Sequence, residues 1–199
     1  MIFLSAILLG ILVGLMLKGR FTNMWNMTLH HAWLLLPWFL IDTFFNSRFS
    51  SAIAPQAFRP LVVALLVLQY GLFLLFALIN RRQWPLLVIG AGEVLNFLVI
   101  MANGGHMPVD TSNLPGSARL DALRAGLIPH YIELSEGTRL AFLCDRIPVR
   151  LFTSSLFSAG DVILWFGLFL FMVLKMRTAR QGNAHTETTS SQHQNASET

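Results

Sequence analysis

The sequence predicts an all-α protein: a five-span transmembrane helical bundle with a long, partly helical extracytoplasmic loop between the fourth and fifth spans. Three observations predict it. The chain has 54% apolar and only 12% charged residues with a positive mean hydropathy, it holds five separate apolar runs, and basic residues gather beside the ends of those runs. So little charge cannot cover a soluble surface. The runs cover 1–17, 29–45, 61–79, 85–101 and 156–174, each 17 to 19 residues long. A helix rising about 1.5 Å per residue needs roughly 20 residues to cross the hydrocarbon, and 17 is the short end.

The first run has no basic residue before its apolar part and no small-x-small cleavage pattern, and Lys18 and Arg20 follow it, so it is expected to be a retained span. Short links join the first four spans. Residues 103–155 then make one long connection, and loops of that length are functional or disordered. This one carries the pattern of an ordered segment. Pro115-Gly116 marks a turn, Ser117 is placed as an N-cap, Ala118, Leu120, Leu123 and Leu127 recur at helical spacing, and Gly126 is placed to end that helix. The helix is expected to lie on the membrane surface or across the bundle. Residues 1–175 thus read as a single transmembrane domain, and the polar residues 176–199 as a disordered tail.

Charge sets the orientation. Seven basic residues would fall on each side of the membrane, so a raw count decides nothing. Proximity does: Arg81-Arg82 and the basic cluster at 175–180 abut their spans, whereas most opposing arginines lie in the long loop, where the rule weakens. The expectation is an outside N-terminus and a cytoplasmic C-terminus. The net charge of +4 forms no stripe with interleaved aromatics, so no nucleic-acid partner is expected. The single cysteine, Cys144, allows no disulfide within the chain.

Polar side chains inside spans are costly and each calls for a partner or a purpose. They are Asp42, Gln69, Glu93, Asn96 and Asp161. Glu93, Asn96, Ile100 and Asn103 share one helical face, a polar stripe that leads to the turn Asn103-Gly104-Gly105-His106-Met107-Pro108. Gln69 and Asn96 read first as interhelical packing contacts. An ionisable Glu93 at mid-span reads as a candidate site. Asp161 serves equally as a helix N-terminal carboxylate or as a functional one, and Gly104 and Gly105 can end the fourth helix with positive φ. His106 beside them is titratable. In the loop, Glu133, Glu136 and Arg139 read as solvated surface, while His130 and Asp145 sit in apolar settings and are expected to be partly buried.

Glu93-Val-Leu-Asn96, Asn103-Gly-Gly-His-Met-Pro108, His130, Thr138-Arg-Leu-Ala-Phe-Leu-Cys-Asp145 and Phe157-Ser-Ala-Gly-Asp161 together resemble the bacterial membrane proteins grouped as domain-of-unknown-function family 5317. The likeness covers nearly all of residues 1–175. It implies a compact multi-pass protein of the bacterial plasma (inner) membrane without an assigned activity. Cys144 departs from the glycine expected before that aspartate, which puts a tight turn there in doubt. A looser similarity runs to lipoprotein signal peptidases, through the segment 90–96 and the Phe157–Asp161 motif.

Three functional readings follow. The first is a ligand- or partner-binding site on the outer face, built from Asn103, Gly104, Gly105, His106, Met107, Pro108, His130, Asp145 and Asp161, with Glu93 and Asn96 beneath. The second is an intramembrane aspartyl hydrolase, implied by the peptidase similarity. Asp161 would pair there with Asp145 or Asp110, since such a dyad shares one proton between two carboxylates. The third is a structural or regulatory subunit that docks a membrane partner or a second copy through the loop helix. No cofactor is expected: haem needs histidines on facing spans, and a thiol or zinc site lacks cysteines, leaving only His106, His130 and a carboxylate as residue types for a metal.

Overall fold

A computed structural model of the chain describes residues 2–24, 27–113, 118–150 and 154–177. Each apolar run forms a helix: α1 (Ile2–Met16), α2 (Leu35–Phe45), α3 (Arg59–Ile79), α4 (Trp84–Ala102) and, after the long connection with its short α5 (Ala118–Arg124), α6 (Ala159–Arg177). Prolines stand in the first turns of α3 and α4, where the missing N–H costs no hydrogen bond. Lys175 and Arg177 fall in the last turn of α6, favoured by the helix dipole.

Among the described residues three helical stretches are long and apolar enough to cross a membrane: Gln56–Ile79, Trp84–Ala102 and Ala159–Arg177. The expectation of five full-length spans meets two shorter apolar helices, α1 at 15 residues and α2 at 11. For α2 the reason is local. Asn80, at the end of α3, accepts from the His30 backbone N–H at 2.8 Å and donates to the His30 carbonyl at 2.9 Å. That clamp holds the backbone at His30, His31 turns left-handed at φ 53°, and helical structure starts only at a short 3-10 turn, Ala32–Leu34.

The helices alternate in direction. Gln69 meets Asp42, Gly90 packs on Ala77, Gly160 on Gly92, and α1 runs parallel to α6 with Gly10 against Met172 and Gly14 against Met176. Close backbone approach holds α6 in place. A Cβ on Gly92 would lie 2.6 Å from the Gly160 carbonyl, and one on Gly167 would lie 2.7 Å from Ile89. Small residues let helices approach closely in membranes, where lipid tails are as apolar as leucine and dispersion contacts drive association.

Two apolar clusters fill the bundle. Leu34, Phe73, Phe76, Leu86, Ile89 and Leu164 belong to the one nearer the α3–α4 link, and Phe45, Val62, Leu66, Val99, Ile100 and Met107 to the one nearer the long connection. The buried Gln69, Glu93 and Asn96 occupy the sequence positions between them on α3 and α4. A polar layer therefore separates two hydrophobic cores.

The long connection is ordered and more than helical. β1 (Met107–Val109) pairs in parallel with β2 (Tyr131–Glu133), Asp145 bridges the other side of β1 at Val109, and β3 (Ile147–Arg150) forms an antiparallel pair with β4 (Ser154–Phe157). Strand pairing accounts for the shortened start of the last apolar run: residues 154–157 are extended, and α6 begins at Ala159. α5 lies where the Ala118 to Leu127 spacing places it, and Gly126 follows it at φ 67°. The expected turn at Pro115-Gly116, the N-cap at Ser117 and the tail beyond Arg177 lie outside the described residues. Cys144 needs no glycine-like backbone, since its φ is −70°; the left-handed residue is Leu140.

Candidate functional site

The turn after α4 is a helix cap first. The Gly104 N–H reaches the Met101 carbonyl at 3.2 Å and the Gly105 N–H the Ile100 carbonyl at 2.7 Å, with positive φ at both glycines. These bonds satisfy carbonyls that a helix end leaves open. Asn103 donates to the carbonyls of Val99 and Arg139, each at 2.8 Å, and accepts from the Arg139 N–H at 2.9 Å. It ties the helix end to the far part of the loop.

Arg59, absent from the sequence-based site, is the hub here. Its guanidinium donates to the Gly104 carbonyl through Nε at 2.8 Å and Nη2 at 2.5 Å, to the Pro129 carbonyl at 2.7 Å, and to His106 Nδ1 at 2.5 Å. An arginine only donates, so His106 accepts at Nδ1 and is neutral there. Burial, then the Arg59 charge, hold the His106 ring below its usual pKa, against an opposing contact with the Asn103 carbonyl. Its sequence signal was an arginine directly before Pro60 at the head of an apolar run, which counted only toward orientation.

Met107 and Pro108 are buried in β1. The Met107 N–H donates to the His130 carbonyl at 2.7 Å, the Asp145 N–H to the Pro108 carbonyl at 3.0 Å, and the Asp110 N–H to the Asp145 carbonyl at 2.9 Å. His130 and Asp145 thus do meet this segment, through backbone. The His130 ring packs between Phe45 and Tyr131, with centroids 4.8 and 4.4 Å away. Asp110 faces a different way, into an open cleft with Thr111, Arg124 and Glu133. Hydrogen bonds from Ser112 hold its carboxyl below the usual range, and Thr111, followed by Arg124, does the same for Glu133.

Asp161 does not join the turn. It lies with Asn96, six residues and about 9 Å before the end of α4. Ser158 caps α6: its Oγ accepts from the Asp161 N–H at 2.9 Å, and Asp161 Oδ2 accepts from the Ser158 N–H at 3.1 Å. That reciprocal pair is a capping box. Asn96 closes it, donating to Asp161 Oδ1 at 2.9 Å and accepting from the Ser158 hydroxyl at 2.7 Å. Each atom named has its partner, so the trio reads as a lock between α4 and α6. The Ser-x-x-Asp spacing carried this signal in the sequence.

Glu93 lies one helical turn from Asn96 on the same face and is 8% exposed. Among the described residues no group hydrogen-bonds or ion-pairs with its carboxyl, and Asp161 and Asp42 are the charges within electrostatic range. Tyr70 of α3 lies within electrostatic range of Glu93, Tyr131, Asp161 and Asp145, and its ring packs on Phe97 of α4. Gln69 donates to Asp42 at 3.4 Å. Among the described residues no three of His, Cys, Asp and Glu converge as a metal site, which covers the pairing of His106 and His130 with a carboxylate.

Residues 26–173 match a family of unknown function (DUF5317). A curated relative, an uncharacterized protein of Thermotoga maritima, is 29% identical over 185 residues that cover 90% of this chain and 93% of its own. No solved structure matches the chain.

Proposed function

Since the chain belongs to the DUF5317 family, which brings no activity with it, the geometry has to carry the function, and we propose a five-helix integral membrane protein that binds a small polar ligand in its buried layer. The site is the polar layer around Glu93, Tyr70 and Asp42, with Asp161 at its edge and the ordered loop across its outer end. α1 and α2 complete the five-span bundle, their short lengths matched by local thinning of the bilayer. The bundle lies in a bacterial plasma membrane with the N-terminus outside and the Arg81-Arg82 pair and Lys175 in the cytoplasm.

One observation carries the reading: Glu93 is buried with no hydrogen-bond or ionic partner among the described residues. Chains retain an uncompensated ionisable group in such a place for function, because its removal would relieve a desolvation cost. His106, Asn103 and the glycines support the site from above by holding the loop against α3 and α4. An aspartyl dyad is less well served. Both oxygens of Asp161 already accept N–H donors in the cap, and Asp110 faces the cleft on the loop.

A hydrophobic carbodiimide tests the site, since it enters from the bilayer and reacts with protonated buried carboxyl groups. In the purified protein, peptide mapping should find the adduct on Glu93. No adduct there would remove the site.

A further inference from the structure

We infer that the ligand of the buried layer is a small monovalent cation, taken up by the Glu93 carboxylate in exchange for its proton; this rests on the binding reading above. The titratable groups within electrostatic range of Glu93 are Asp42 from α2, Tyr70 from α3 and Asp161 from α6. All are acidic or neutral. Among the described residues no lysine, arginine or histidine forms an ion pair with Glu93, Asp42 or Asp161. The acidic cluster is not the only sign. Glu93 is more than nine-tenths buried, and its carboxyl lacks the donors that Asp161 receives from Asn96 and Ser158.

A carboxylate in those surroundings without a donor is stable only with a proton or a cation on it. The neighbours favour a cation as the alternative. Gln69 spends its amide N–H on Asp42, which leaves its carbonyl oxygen as an acceptor, and the Tyr70 hydroxyl oxygen accepts as well. Acceptor oxygens on α2 and α3 therefore lie in the same polar layer as one exchangeable charge. A divalent ion is served less well, because calcium takes six to eight oxygens at ~2.3–2.6 Å, and those of Asp161 and Asn96 are already committed to the α6 cap. The exchange balances simply: the O–H bond of the Glu93 carboxyl breaks, the proton leaves to solvent, and the cation takes its place on the oxygen.

The test follows carbodiimide labelling of Glu93 in detergent-solubilised protein. The starting buffer holds only a bulky organic cation, and sodium, potassium or methylammonium chloride is then added. At least one of the three should slow labelling of Glu93 several-fold and release a proton into weakly buffered solution. Protection should weaken as pH falls, because protons compete for the same oxygen. Which salt protects distinguishes a metal cation from an ammonium group. Labelling that none of the three salts slows relative to the starting buffer would overturn the cation and leave the site standing, whereas absence of any Glu93 adduct would remove the site itself.

Discussion

Arg59 and His106 show how a residue's role follows from its partners more than from its type. The sequence marks His106 as titratable and Arg59 as a topology charge; contact between them makes both part of the brace that holds the loop. The pH dependence follows from that contact. His106 has its folded pKa below its unfolded value of 6.5, so the folded state favours the neutral ring. Stability is full above that value, declines as pH falls through it, and reaches its lower plateau below the folded pKa. In thermal unfolding between pH 8 and pH 5, roughly the window in which histidine titrates, wild type should lose more stability than His106→Gln, whose side-chain oxygen still accepts from Arg59. Parallel profiles for the two proteins would contradict the brace. At this scale the candidates were legible as polar types at a boundary, while their division into braces, caps and an uncompensated acid was not. His130 and Asp145 meet the segment after the turn by backbone bonds that no side-chain pattern announces, while Asn103 ties it to Arg139 through its side-chain amide.

Elements were legible where period and punctuation agree. The helical runs, the short α5 and the glycine cap after α4 all follow from spacing and turn residues visible in the chain. The strands did not, because β1 and β2 are three residues each and their pairing depends on long-range contact. The start of α6 is the most telling boundary. Apolarity extends back to Leu156, but strand pairing claims residues 154–157 and Ser158 caps the helix. Ser158→Ala should cost about 1–2 kcal/mol, the range for a lost N-cap with a further buried bond. Gly160→Ala should cost more, since its methyl would overlap the Asn96 side chain and sit 2.7 Å from the Gly92 carbonyl. Unfolding in mixed detergent micelles measures both. Equal stability for wild type and Gly160→Ala would show that α4 and α6 can part without loss.

At the scale of the whole molecule the described residues form a layered bundle: an apolar cluster near the α3–α4 link, a polar layer, a second apolar cluster, and an ordered loop braced at that end. Within the polar layer two kinds of group coexist. Asn96, Ser158 and Asp161 satisfy one another, while Glu93 is satisfied by nothing among the described residues. The sequence could place all but Ser158 on its list of candidates, yet only geometry separates the lock from the site, because satisfaction is a property of partners. The separation has opposite consequences for stability. Removing a member of the lock leaves buried donors unpaired, at about 1–3 kcal/mol; removing an uncompensated acid relieves a desolvation cost. The most direct measurement therefore compares the unfolding free energies of Glu93→Leu and Asp161→Ala with wild type in the same micelles. Asp161→Ala should lose stability and Glu93→Leu should hold or gain it, whereas a loss in Glu93→Leu as large as that in Asp161→Ala would make Glu93 part of the scaffold and contradict the site.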